Sequence, residues 1–293
     1  MKPLPFKVPK NTKESFRVQE DSGKHLYDTL HQHKEWQVMS IEEGEGTVIV
    51  GDYLGEFKVG DLFVIGENMP HVFRNDSRYY EEESELKAKA VSVYFDKDSF
   101  GKEFFQLPEM YGLLELMRRS SRGIRILNED IKVSVSKKLK ELYLMNGMMK
   151  TITLLDILHQ LTECTEIEYL ASSNNLSFEN EVESKRMDKI FKFTIEEYHR
   201  PISLQEIADK SNMTPNAFCR YFKKRTQKTY VTFLNEVRIG QACKILLEEN
   251  RTVTEVCYHV GFSNLSNFNR KFKQFTGLTP TQYIQKHKVA LQI

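Results

Sequence analysis

The sequence predicts an α+β multidomain chain. A strand-rich N-terminal half closes as a β-barrel of jelly-roll type, a helical connection follows, and the C-terminal third is all-α with two helix-turn-helix units. Three observations predict it. Segments between residues 14 and 95 alternate apolar and polar positions, residues 131–170 space their apolar positions by three and four, and a pattern beginning at Ser203 recurs about fifty residues later. A chain of 293 residues is long enough for two cores. The expected boundaries are 1–130 for the strand-rich domain, 131–170 for the helical connection, 171–185 for a linker and 186–290 for the repeat.

The strands are read from "QVMSIEE", "GTVIVGD", "DLFVIGE" and "KAVSVYF", short β-branched runs with Gly and Asp at the breaks. Several such strands at close spacing suggest a barrel or jelly roll. The helical connection is read from "IKVSVSKKLKELYLM" and "TITLLDILHQL". Val135, Leu139 and Leu142, then Leu154, Leu158 and Leu161, mark one apolar face on each helix. An antiparallel pair is expected, either as a dimerising element or packed on the barrel. The Ser/Asn-rich run "ASSNNLSFENEVESK", Ala171 to Lys185, reads as the linker.

The repeat carries the most information. Phe218 and Phe222 are four apart, and moving fifty positions carries them to Phe268 and Phe272, Arg220 to Arg270 and Lys223 to Lys273. Each copy reads as helix, tight turn, helix. In the first, Ser203 and Glu206 have the spacing of a capping box, Ser211-Asn212-Met213 forms the turn, and Thr214 caps a second helix with Pro215 at its first position. In the second, Thr252 and Glu255 repeat the capping box, Gly261 supplies the turn and Ser263 caps the next helix. Between the copies a helix over Tyr230–Glu248 would be about 28 Å long. Such a strut suits two groove-reading helices set about 34 Å apart, one turn of duplex.

With the phenylalanines buried, Asn216, Cys219, Arg220 and Lys223 face outward in the first copy, and Ser266, Asn269, Arg270 and Lys273 do so in the second. A polar face opposite an apolar stripe is ordinarily just solvated surface. Its repetition at one period favours a reading surface. Arg makes bidentate bonds to guanine and Asn to adenine, whereas Lys224, Arg225, Lys271 and the other lysines suit phosphates. Charge agrees: residues 183–293 hold 19 basic and 10 acidic groups, while residues 1–182 hold 23 and 31. A basic third in a near-neutral chain points to a polyanion, here double-stranded DNA.

These residues resemble a known family. From about Met187 to His287 the chain is similar to the DNA-binding domain of the AraC-type transcription regulators, through "EIADKSNMTPNAFCRYFKK", "FLNEVRIGQACKILL" and "GFSNLSNFNRKFKQFTGLTPTQYI". The resemblance covers about a third of the chain. It implies two helix-turn-helix units joined by a helix, activation more than repression, RNA polymerase as a partner and dimerisation through the helical connection. Gln227 stands where Gly is usual after the first reading helix, and Asn212 replaces the turn Gly.

The N-terminal half is then expected to hold what controls the reader. "HQHKEWQVMSIEEGEG" and "GDLFVIGENMPHVFRN" resemble the two cupin motifs. In cupins, H-x-H, a downstream acid and a later His converge as a metal site, which implies His31, His33 and His71 here. The acid position falls on Gln37, with Glu35 two residues early. An amide is a weak substitute for a carboxylate, so the expectation is a metal-free pocket in which His31, His33, His71 and Gln37 hydrogen-bond an organic effector, with no cofactor. A metal held by the three histidines is the alternative, and histidines satisfied by backbone with no ligand are another. Trp36 sits opposite Gln37 by alternation.

Composition bounds the rest. No apolar run is long enough to cross a bilayer, "MKPLPFKVPKN" lacks a signal-peptide core, and Cys164, Cys219, Cys243 and Cys257 have neither paired nor zinc-finger spacing. A cytoplasmic protein off the membrane is expected. The reading is a ligand-responsive DNA-binding regulator and not an enzyme. The alternative is a cupin metalloenzyme or metal sensor fused to a DNA-binding domain, and a nonspecific packaging protein would leave the barrel unexplained.

Overall fold

The computed structural model describes residues 14–101, 103–172, 181–249 and 251–290. The chain divides into two compact units, Met1–Ser184 and Lys185–Ile293.

The first unit contains strands β1 (Arg17–Gly23), β2 (Trp36–Glu43), β3 (Gly46–Val50), β4 (Tyr53–Phe57), β5 (Leu62–Ile65), β6 (His71–Asn75), β7 (Ala88–Phe95), β8 (Ile124–Ile126) and β9 (Ile167–Tyr169). Its helices are α1 (Tyr111–Ser120), α2 (Glu129–Leu144) and α3 (Gly147–Glu163). The strands form two antiparallel sheets, ordered β1-β7-β2-β5-β8-β9 and β4-β3-β6. This corrects the expected closed barrel. Beyond β5 the larger sheet continues into β8 and β9, and among the described residues no ladder closes the two sheets on one another.

Alternation sorts the larger sheet into two apolar faces. Trp36, Val38, Leu62, Val64, Val91, Val93 and Phe95 join Val135, Leu139, Leu142, Leu154, Leu158 and Leu161 in one buried cluster, so α1, α2 and α3 cover that face. Met39, Ile41, Phe63, Ile65, Ala88 and Ala90 join Val48, Val50, Phe57 and Phe73 of the smaller sheet in a second cluster. Trp36 thus lies under the helices and stacks near Phe95, away from Gln37. The helix pair is accordingly part of the first unit. After α3 the chain returns to the sheet, where β9 pairs with β8.

The expected linker falls largely outside the described residues. Residues 181–185 begin a helix, α4 (Glu181–Glu197), anchored by buried Met187, Ile190 and Phe191. The second unit continues with α5 (Leu204–Lys210), α6 (Pro215–Thr226), α7 (Tyr230–Glu248), α8 (Val253–His259), α9 (Leu265–Thr276) and α10 (Pro280–Ala290). Two aromatic cores hold it. Phe191, Phe218, Phe222, Tyr230 and Phe233 interleave around α6. Phe262, Phe268, Phe272 and Tyr283 do so around α9. Among the described residues no helix is long and apolar enough to cross a membrane.

Candidate nucleic-acid interface and histidine site

Each candidate reading helix is fixed from its first turn. In α6 the Thr214 hydroxyl accepts from the amide of Ala217, Pro215 occupies the first position and Phe218 and Phe222 are fully buried. In α9 the cap is Asn264, whose Oδ1 accepts from the amide of Asn267, and not the expected Ser263. Phe268 and Phe272 are fully buried. Asn216, Cys219, Arg220, Lys223 and Lys224 are exposed on α6, and Ser266, Asn269, Arg270 and Lys273 are exposed on α9. Each set lies on the polar side of its own helix. Lys271 and Arg225 are instead partly buried, and Lys271 donates to Gln274 and lies over the Phe275 ring.

Two residues that sequence reasoning passed over shape this surface. The Asn267 Oδ1 accepts from Arg270 Nη2 at 2.8 Å and steadies that guanidinium; Ala217 stands at the corresponding place beside Arg220. Arg238 of α7, 9% exposed, donates from Nε to the Tyr198 carbonyl and from Nη2 to the Arg200 carbonyl, both at 2.8 Å, and stacks over Phe262. It therefore ties the end of α4 to the strut and to the turn of the second unit.

The histidine site is built between the two sheets of the first unit. His71 opens β6, and His31 makes an isolated bridge to it, with amide–carbonyl bonds of 3.1 and 2.9 Å. His33 lies in the loop entering β2, and Gln37 lies on the β2 face turned away from the helices. One ring nitrogen from each of His31, His33 and His71 lies within 4.8 Å of the other two. Each Nδ1 faces a backbone carbonyl: Thr29 at 2.9 Å, Glu35 at 2.9 Å and Met69 at 2.8 Å respectively. A carbonyl only accepts, so each ring carries its proton on Nδ1 and presents Nε2 as a lone pair. Burial holds all three below the ordinary histidine range, His31 at about 3 and His71 well down; the His33 ring adds to the effect on His31, and the His31 and His33 rings add to that on His71.

Gln37 completes the site. Its Oε1 stands 3.3 Å from His33 Nε2, while its amide nitrogen donates to Ser92 Oγ and Tyr94 Oη, both at 3.0 Å. Gln37 and Tyr94 are direct partners in the β2–β7 ladder. Alternation in "KAVSVYF", two polar residues in an apolar strand, carried the signal for Ser92 and Tyr94. Glu35 is buried but sits on the Nδ1 side of His33, its Oε2 4.0 Å away. It supports the ring from behind.

Comparison with known proteins places the C-terminal part. Residues 207–286 match a family described as a helix-turn-helix domain. The chain is 33% identical over 102 residues to an uncharacterized HTH-type transcriptional regulator, YdeC, of Bacillus subtilis, covering 35% of each chain. It is 18% identical over 244 residues to the Msm operon regulatory protein of Streptococcus mutans, covering 83% of this chain and 81% of that one. A solved structure, ToxT from Vibrio cholerae, aligns at TM-score 0.36 and 12% identity over 92% of this chain and 97% of that one. The chain spans about a third of the length of the first two curated relatives it matches. The C-terminal third therefore contains a helix-turn-helix domain, similar in sequence to part of an HTH-type transcriptional regulator.

Proposed function

We propose that the chain is a sequence-specific DNA-binding transcription regulator, an activator acting in the cytoplasm, whose first unit takes an effector at the histidine site. The observation that carries the reading is the duplicated surface. Two buried phenylalanine pairs each support an outward Arg, Arg220 and Arg270, in the basic third of the chain. Arg220, Asn216, Asn269, Arg270 and Ser266 are the base-contacting set, with Cys219 alongside, and Lys223, Lys224 and Lys273 meet phosphates. The pair of facing sheets with a polar cluster between them supports a cupin-like sensing domain. Exposed Leu144, Met148 and Met149 at the α2–α3 tip support a homodimer. RNA polymerase is the partner expected of an activator.

The test begins with an operator selected from random duplex. Arg220→Ala or Arg270→Ala should cost about 1–3 kcal/mol on that operator and relax one base position, while Lys224→Ala weakens all sequences alike. Equal loss on operator and random duplex for both arginine variants would overturn the assignment.

A further inference from the structure

The two candidate reading helices are carried by one strut. Phe222 of α6 packs on Tyr230 and Phe233, in the N-terminal half of α7. Phe268 and Phe272 of α9 share a buried cluster with Ile239, Ala242, Ile245 and Leu246, toward its C-terminal end. A helix fixes distance along its axis, at about 1.5 Å per residue. It does not fix how each reader is turned about that axis, and apolar packing is non-directional. Rotation matters on a duplex, where one added base pair turns the groove by about 34°.

Arg238 supplies the missing direction. It lies near the middle of α7, buried between the two aromatic cores. Its Nε donates to the Tyr198 carbonyl and its Nη2 to the Arg200 carbonyl, both at 2.8 Å and both just beyond the end of α4. The guanidinium carbon stands 5.6 Å from the centre of the Phe262 ring, in the turn before α9. Gly261 lies in the same turn, where a Cβ would come within 3.0 Å of Arg238 Nε. Arg200 continues the path, since its guanidinium holds Glu206 of α5 at 2.6 and 3.2 Å. One side chain therefore joins the turn of the second helix-turn-helix, the strut, and the segment that anchors the first.

Stability alone does not call for such a group. Among the described residues no carboxylate pairs with Arg238. A buried charge is costly to desolvate, and an apolar residue of similar volume fills a buried site without that cost. What a guanidinium adds is a planar fork of donors at a fixed angle. Here both teeth of the fork are engaged by carbonyls two residues apart, so α4 and α7 are held in one mutual orientation.

We propose that Arg238 is a positioning residue that sets the rotational register between α6 and α9, and thereby the spacing of the two DNA half-sites that the chain accepts. The inference rests on the regulator reading above, and it concerns a side chain whose donors face protein carbonyls rather than bases. Two readers on one strut bind as a linked pair, and the gain over a single reader survives only where the geometry lets both engage. A directional tie between them makes the chain selective for one spacing; a loose joint would accept several.

The experiment uses the full chain and the operator selected from random duplex. That operator is remade with one base pair inserted or deleted between its half-sites, and with either half-site randomised. The wild-type chain should lose about a hundredfold on both respaced operators, falling to its affinity for a single half-site. Arg238→Met keeps the volume and drops the fork. It should lose roughly tenfold on the native spacing, bind each single half-site as the wild type does, and lose only about threefold more on respacing. Arg238→Lys keeps the charge without the fork and should follow Arg238→Met. Glu206→Gln, away from both aromatic cores, weakens the Arg200 link and should relax spacing preference by about twofold. Thermal unfolding shows which variants are folded. Unchanged spacing preference in folded Arg238→Met, equal loss on half-sites and whole operator, or wild-type behaviour of Arg238→Lys overturns the inference. If both Arg238 variants fail to fold, unchanged spacing preference in Glu206→Gln overturns it, as does an operator with a single half-site. A wild-type chain that selects no operator instead strikes the regulator reading.

Discussion

The two helix-turn-helix units have the same helices and different turns. Their first helices are both 7 residues and their second both 12. Both bury a phenylalanine pair completely, and both leave the reading helix through a left-handed residue. Yet the first unit places Asn212 and Gln227 at positive φ where the second places Gly261 and Gly277. A glycine can be required by conformation or by closeness, and the pair separates the two. At Gly277 an added Cβ meets nothing within 4 Å, so glycine there answers only to φ. At Gly261 a Cβ would stand 2.5 Å from the Tyr198 carbonyl oxygen, beside the Arg238 guanidinium. The second turn is pressed against the end of α4, while Asn212 is exposed. The repeat encodes the elements, and the packing environment encodes the turn residue.

Glu206 and Glu255 teach the same point. Both occupy the third position of a capping-box pattern. Glu255 closes the box on Thr252, with bonds in both directions. Ser203 accepts from the Glu206 amide, but the Glu206 carboxylate is taken by Arg200, bidentate at 2.6 and 3.2 Å. Identical local signals thus end in different contacts once a neighbouring element supplies a stronger partner.

The comparison can be broken at its strongest point first. Gly261→Ala should destabilise the second unit by about 3 kcal/mol, since strain at positive φ adds to a clash with backbone. Asn212→Ala should cost about 1 kcal/mol, from φ alone. Chemical denaturation of both variants reads the difference; equal losses would mean that closeness at Gly261 is irrelevant.

A smaller effect sharpens it. Gln227→Gly should stabilise by up to about 1 kcal/mol, and Gly277→Ala should destabilise by about the same amount, because both sites are open and only backbone preference changes. Opposite signs in thermal unfolding are the expected result. Loss of stability in Gln227→Gly would show that the bond from Gln227 Nε2 to the Lys224 carbonyl outweighs the left-handed backbone.

The smallest effect concerns the surface. Asn267→Ala frees the Arg270 guanidinium on an exposed helix and should leave stability nearly unchanged. Operator affinity should fall by about 0.5–1 kcal/mol, the value of one hydrogen bond that orders a reading side chain. Ala217→Asn gives Arg220 the same neighbour and should raise affinity by a similar amount. Titration of the selected operator against random duplex measures both, and no change in either would mean that Arg270 is not held in its reading position by Asn267.

What the sequence determined by itself is local. The fifty-residue period, the strut over Tyr230–Glu248, the phenylalanine pairs and the caps at Ser203, Thr214 and Thr252 follow from spacing along one chain segment, because helical periodicity and capping act within a few residues. The buried faces of α2 and α3 were legible for the same reason. Tertiary structure decided what depends on partners far along the chain. It made two sheets where alternating strands suggested a barrel, since strand pairing is nonlocal, and it drew α2 and α3 into the first unit under Trp36. It also put Ser92 and Tyr94, 55 and 57 residues beyond Gln37, on the Gln37 amide nitrogen. That contact holds the Gln37 side chain with its oxygen facing His33 Nε2. The side chain was in the sequence; its direction required the sheet.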